Sequence, residues 1–202
     1  MPTEEQRMLA GKLYNVYGKD LAKKYAKKDH LLHQINFAEE GTDVQKRFKQ
    51  LLGQSGSNVY FEPPFFCDFG KNIRVGDDVY CNTNAVFLDS GKITIGNRVL
   101  LGPRVNLFAA GHPIDAGVRN KWLGFAKPIT IGDDVWIGGN ATVNPGVTIG
   151  NNVVIGSGSV VTHDIPANSV AVGNPCQVIR PITAADKAEW EAQEAEYRQS
   201  LQ

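Results

Sequence analysis

The stretch IGDDVW-IGGNAT-VNPGVT-IGNNVV-IGSGSV-VTHDIP, Ile131 to Pro166, repeats itself every six residues. Its first position is Ile131, Ile137, Val143, Ile149, Ile155 and Val161, aliphatic throughout, and Gly follows it in four of the six hexads. The fifth position is Val135, Ala141, Val147, Val153, Ser159 and Ile165. An α-helix, at about 3.6 residues per turn, does not keep such positions on one face. A six-residue unit holds one short strand and one turn, and it cannot bury its apolar position alone. Stacked coils can, so the period predicts a parallel β-helix.

The repeat runs upstream in weaker form. Val75, Cys81 and Phe87 lie six apart, as do Ile95, Leu101 and Leu107, with two extra residues near Asp89 to Lys92. It stops at Phe108 and resumes at Ile131, leaving an excursion over 109–130 that holds His112, two prolines and no strand period. A solenoid tolerates such an insertion as a loop at a corner, often on its binding face. Chemistry is therefore sought there first.

Bulk composition narrows the class. The 202 residues carry 21 Lys+Arg against 21 Asp+Glu, so no basic bias points to nucleic acid and no acidic tail to a disordered activator. The 21 Gly and ten Pro suit a turn-dense solenoid, since they fall at repeat corners. Cys67, Cys81 and Cys176 are odd in number and lack CxxC spacing, which favours small buried thiols over disulfides or a zinc site. The polar MPTEEQRM is unlike a signal peptide, and no apolar run is long enough to span a bilayer. The reading is a soluble cytoplasmic protein with no membrane partner.

Residues 1–57 read as a helical cap. Leu9, Leu13 and Val16 fall at helical spacing, as do Val44, Phe48 and Leu51, with LLHQIN between them. Lys23, Lys24, Lys27 and Lys28 read as a solvated helix face rather than a phosphate site. The solenoid is expected over 58–182 and a C-terminal helix over 183–202, opened by Thr183 and Asp186 in a capping-box spacing. Helical pieces at both ends would cover the terminal strand edges.

The motifs AGKLY (Ala10 to Tyr14), EPPF (Glu62 to Phe65), GHP (Gly111 to Pro113), NPGVTIG (Asn144 to Gly150), DIP (Asp164 to Pro166) and GNPC (Gly173 to Cys176) together resemble the maltose/galactoside O-acetyltransferases. These are hexapeptide-repeat acyltransferases. The resemblance spans nearly the whole chain. It implies a left-handed parallel β-helix, a homotrimer with active sites at subunit interfaces, and acetyl-CoA as co-substrate, with no metal and no permanently bound cofactor.

Acetyl transfer from a thioester to a hydroxyl needs a base, donors for the tetrahedral oxyanion and an acid for the leaving thiolate. One imidazole can serve as base and then acid, because its ordinary pKa of about 6.5 lies near working pH. Of the four His, the resemblance assigns His112 to the catalytic base; the bland reading is a surface loop His. Asn82 matches an acceptor-side Asn that binds a hydroxyl or the oxyanion, or else it stabilises a turn, a role that suits Asn84 better. Asp68, Asp89 and Ser90 fall at acceptor-binding positions. Val16 stands where the galactoside enzymes have an acidic sugar contact and Ser90 where they have another, so galactoside preference does not carry over.

On the donor side, Gly139 matches a position whose amide faces the thioester. Ser157, Thr162, His163, Gln177 and Arg180 match the CoA track, with Arg180 as the phosphate contact. His163 and Gln177 replace basic residues there, and a neutral Gln cannot pair with phosphate as a charge. Trp136 packs beside the ligand or in a subunit interface. The implied activity is O-acetylation of a sugar or glycoside. The rival readings are an O-acetyltransferase acting on an antibiotic hydroxyl, a metal-dependent hydratase on the same solenoid, and a non-catalytic trimeric scaffold.

Overall fold

The computed structural model describes residues 1–201. It begins with α1 (Glu4–Leu9), β1 (Tyr14–Asn15), α2 (Lys19–Asn36) and α3 (Val44–Leu51), and then enters a left-handed parallel β-helix. Each coil has three short strands. The first is β2 (Gln54–Ser55), β3 (Tyr60–Phe61) and β4 (Phe65–Cys67); the second is β5 (Ile73–Val75), β6 (Tyr80–Cys81) and β7 (Ala85–Leu88). The third is β8 (Ile93–Ile95), β9 (Leu100–Leu101) and β10 (Asn106–Phe108). After it the chain leaves the solenoid through β11 (Ala110–Gly111), α4 (Ala116–Arg119) and β12 (Leu123–Ala126).

It returns as β13 (Ile129–Ile131), β14 (Trp136–Ile137) and β15 (Thr142–Val143), followed by β16 (Thr148–Ile149), β17 (Val153–Ile155) and β18 (Val160–Val161). A last partial coil holds Ile165, bridged to Ile149, and β19 (Ser169–Val172), on which β20 (Gln177–Pro181) folds back antiparallel before α5 (Ala184–Ser200).

Register explains the hexads. Val75, Ile95, Ile131 and Ile149 pair in sequence down one face, and Leu101, Ile137 and Ile155 down the next. Every first-position residue of the strict repeat is buried, and so is every fifth. Ser159 is the polar exception at the fifth position. It is tolerated because its hydroxyl donates to the Gly156 carbonyl at 2.6 Å and accepts from the Gly173 N–H at 3.1 Å.

The fourth position carries a rule of its own. Asp134, Asn140, Gly146, Asn152 and Gly158 all have positive φ, between 53° and 89°. A coil corner needs one left-handed residue, and Asn, Asp and Gly adopt it at least cost. One residue earlier, Asp77, Asn97, Asp133 and Asn151 each turn a side-chain oxygen onto the amide of the preceding coil, at 2.7–2.9 Å. Asp89 does the same at the corner widened by the two extra residues. Its carboxylate accepts from the Phe69 and Asn72 amides, and its carbonyl accepts from the Asn72 side chain.

The helical expectations hold for α2 and α3 and fail for Leu9, Leu13 and Val16. α1 stops at Leu9, Gly11 takes φ 68°, and the chain becomes strand β1, pairing Tyr14 with Gly124 and Asn15 with Leu123 of β12. A left-handed Gly just past a helix satisfies its last carbonyls and redirects the chain. The excursion, expected as a corner loop without strand period, is thus a hairpin, β11 with β12, extended by β1 into a three-stranded sheet.

Leu31, Leu32 and Ile35 of α2 and Phe48 and Leu51 of α3 join the solenoid core, where Phe48, Phe61, Phe65 and Phe87 meet at centroid distances of 5.1–6.2 Å. They close the first coil. The other end differs from expectation: α5 buries no residue, and the last coil is covered by β20. α5 starts as its spacing predicts, Asp186 accepting from the Thr183 N–H at 2.8 Å and hydroxyl at 2.9 Å. All three Cys are free and buried. Among the described residues no helix is long and apolar enough to cross a membrane.

Candidate active site

His112 follows β11 at the root of the excursion. Its Nδ1 lies 3.0 Å from the Leu123 carbonyl oxygen. A carbonyl only accepts, so Nδ1 carries a proton, and in the neutral ring Nε2 is then the nitrogen with the free lone pair. That is the tautomer a general base requires. The loop around it is held by Asp115, which caps α4 by accepting from Val118 N–H at 2.8 Å. Arg119 also holds it, donating to the Pro113 and Ile114 carbonyls at 2.9 and 2.8 Å.

His112 lines a cleft of about 530 Å³ together with Asp68, Ser90, Tyr14, Val16, Tyr17, Tyr25, Lys28, Asp29 and Trp122. The Ser90 hydroxyl donates to Asp68 Oδ2 at 3.1 Å. Burial pushes the Asp68 carboxyl up, while the Ser90 bond and the nearby Lys28 ammonium hold it down. Burial also raises the Tyr14 phenol, opposed by Ser90, and carries Tyr25 up to about 12, so both remain hydroxyl donors at neutral pH.

Lys28 departs from the solvated-face reading of the lysine run. It is 6% exposed, bonded to Asp29 at 2.6 Å, with its ammonium 5.0 Å from the Phe66 ring centroid. Asp89 sits apart from this cleft. It is fully buried and its oxygens are taken by backbone amides, so in this chain it shapes the corner that carries Ser90.

A second cleft, of about 410 Å³, gathers four of the other expected residues: Asn82, Trp136, Gly139 and Ser157. Its floor is the stacked turns at Gly102, Gly138 and Gly139. A Cβ on Gly102 would come within 2.6 Å of the Gly139 nitrogen, and one on Gly138 within 2.6 Å of the Ser157 nitrogen. The Gly139 N–H has no hydrogen-bond partner among the described residues, which leaves it available to an incoming oxygen. Asn82 Oδ1 accepts from the Thr83 amide at 2.8 Å, so the side-chain NH₂ is the outward donor.

Thr162, His163, Gln177 and Arg180 lie outside both clefts. Thr162 Oγ1 and His163 Nδ1 are 2.9 Å apart at the corner after β18. Gln177 faces Val172 across the terminal hairpin. Arg180 is bound by Asp186, with contacts of 2.8 and 2.9 Å, so its guanidinium is already engaged in the free chain.

Within one chain His112 and Asn82 line separate clefts. Sequence reading passed over Tyr17, Tyr25, Lys28 and Trp122 in the first and Gly102, Pro103 and Gly138 in the second. The glycines were legible in principle as second-position residues of the coil. The α2 residues were not, since only docking of α2 against the solenoid at Phe66 and Phe69 brings them to the His112 cleft.

The family description "Bacterial transferase hexapeptide (six repeats)" matches residues 128–163, and "Maltose acetyltransferase hexapeptide capping motif" matches residues 7–56. The galactoside O-acetyltransferase of Escherichia coli strain K12 is 42% identical over 190 residues, covering 93% of each chain. The crystal structure of a maltose O-acetyltransferase from Clostridium difficile 630 superposes with a TM-score of 0.88 at 44% identity, covering 90% of this chain and 98% of that one. A galactoside acetyltransferase in complex with coenzyme A gives 0.89 at 41% identity, covering 93% and 94%.

Proposed function

The chain belongs to the maltose/galactoside O-acetyltransferase family, acetyl-CoA-dependent enzymes of the hexapeptide-repeat class, and from that premise we propose that it transfers acetyl to a hydroxyl of a sugar or glycoside, with His112 as general base. The observation that carries this reading is the 3.0 Å contact between His112 Nδ1 and the Leu123 carbonyl oxygen. The Leu123 carbonyl holds the Nδ1 proton, and the free Nε2 belongs to a cleft whose Asp68, Ser90 and Tyr14 offer the mixed acceptors and donors a polyol needs.

Nε2 removes the acceptor proton as its oxygen attacks the thioester carbonyl. The carbonyl becomes a tetrahedral oxyanion, for which the Gly139 N–H and the Asn82 amide are the donors. Collapse breaks the C–S bond and forms the ester, and the imidazolium returns its proton to the departing thiolate. Acetyl-CoA lies along the second cleft past Trp136 and Ser157. Thr162, His163, Gln177 and Arg180 are assigned to the far end of the cofactor, with Arg180 exchanging Asp186 for phosphate.

Because His112 and Asn82 line separate clefts in one chain, the complete site is composed from neighbouring subunits of a homotrimer. An outward apolar ladder, Tyr60, Tyr80, Leu100 and Trp136, runs down one solenoid face and supports burial against another copy. The N-terminal segment α1 to α3, with β1, acts as the cap that completes the acceptor cleft.

The test is thiol release from acetyl-CoA over a panel of sugars, glycosides and antibiotic hydroxyls. Turnover with sugars and a loss of about 10²- to 10⁴-fold in folded His112→Ala are expected. Turnover confined to an antibiotic would replace the sugar assignment, and full activity in His112→Ala would remove the base.

A further inference from the structure

Trp122 holds its backbone at φ 59°, in the left-handed region where a bulky L residue is uncommon. Its side chain is 60% exposed. Both features disfavour the free chain, and burial offsets neither. The conformation is nonetheless imposed: the Trp122 N–H donates to the Arg119 carbonyl at 3.0 Å, and its own carbonyl accepts from Val16 N–H at 3.2 Å. The indole stands against the Tyr17 ring at a centroid distance of 5.3 Å and 66° between planes. Tyr17 is itself 70% exposed. An outlier held this firmly beside a reactive group points to use by a ligand.

Its position says which ligand. Beyond the acceptor cleft lies a second hollow of about 360 Å³, lined by His112, Arg119, Asn120 and Trp122. His112 and Trp122 are the two residues common to both. We propose that Trp122 is a specificity-determining residue whose indole is the platform for an acceptor wider than one sugar ring. The ring that receives acetyl occupies the inner cleft by Asp68 and Ser90. The aglycone or second ring crosses Trp122 into the outer hollow beside Asn120. The C–H face of a pyranose and an aryl aglycone both stack on an aromatic surface, and neither needs a charged partner. Trp122 thereby sets how far this chain favours an acceptor carrying a second ring over a single free ring. This rests on the sugar-acceptor reading above.

Initial rates of thiol release from acetyl-CoA with a free hexose and with its aryl glycoside test it, in wild type, Trp122→Phe and Trp122→Gly. Gly accepts φ 59° without strain, so the loop is not put at risk. In Trp122→Gly, the ratio of kcat/KM for the aryl glycoside to that for the free hexose should fall about tenfold. The KM for acetyl-CoA and the oligomeric mass should hold, and Trp122→Phe should recover part of the glycoside rate. An unchanged glycoside-to-hexose ratio overturns the platform, as does a drop in oligomeric mass, which would make Trp122 a subunit contact. If wild type acetylates neither sugar but does acetylate a non-sugar hydroxyl, the sugar reading itself falls and takes the platform with it.

Discussion

Two acidic residues, one in the His112 cleft and one apart from it, show how much a single position depends on its surroundings. Asp68 and Asp89 are both matched to acceptor binding by resemblance, yet Asp68 lines the cleft with Ser90 while Asp89 is fully buried under backbone amides. Burial raises the Asp89 carboxyl from 3.8 to about 6, against the pull of the Phe69, Gly70 and Asn72 amides. A folded pKa above the unfolded one means the native state holds the extra proton. The favourable contribution is complete below about pH 4 and is lost as pH rises through about 6. Denaturant midpoints of wild type and Asp89→Asn, compared across that window, should show wild type losing stability relative to the variant as pH rises. A flat difference would place the titration elsewhere. Sequence alone shows two Asp at plausible positions; which one meets solvent depends on the packing of a corner.

At the scale of the element, the coil corner explains most of the repeat and also its exceptions. The fourth hexad position takes a left-handed residue, and the strict repeat answers with Asp, Asn and Gly. The weaker upstream coils place Arg98 and Arg104 at equivalent corners, at φ 54° and 58°. Arg98 has a return, a two-point contact with Asp134 at 2.6 and 2.9 Å. Arg104 keeps its backbone bond to the Thr83 carbonyl at 2.9 Å and has an exposed side chain with no ion pair among the described residues. Arg104→Asn preserves the backbone bond and relieves the corner, so it should stabilise the protein by about 1 kcal/mol. Urea unfolding checks this, and a loss of stability would show that the arginine is held by something other than its own coil.

The strand that sequence reading took for helix, β1, belongs to the same scale. Leu9, Leu13 and Val16 do have helical spacing, but the left-handed Gly11 and the free edge of β12 compete for the chain and win. A period over three residues is a weak signal beside a waiting strand edge.

For the whole molecule the decisive fact is that His112 and Asn82 open onto different clefts of one chain. If the site is shared between subunits, two inactive variants can complement each other. Co-refolded His112→Ala and Asn82→Ala should regain activity, with about a quarter of sites pairing an intact His112 with an intact Asn82. Activity no higher than the sum of the separate variants would mean that each chain builds its own site.

The residues alone were enough for the coil. A period of six, with an aliphatic first position and a small or apolar fifth, has one way to bury itself, and that is local physics repeated. They were also enough to mark the excursion that holds His112, because a break in a strict repeat is visible without coordinates; His112 itself was singled out within it by resemblance. The tertiary structure decided the rest. It fixed the His112 tautomer through the carbonyl of Leu123, eleven residues away. It separated Asp68 from Asp89, recruited Tyr25 and Lys28 from α2 to the acceptor cleft, and bent Trp122 into a conformation its side chain disfavours. Each of these rests on contacts between segments distant along the chain, where the outcome depends on which surfaces meet and is not written in any local pattern.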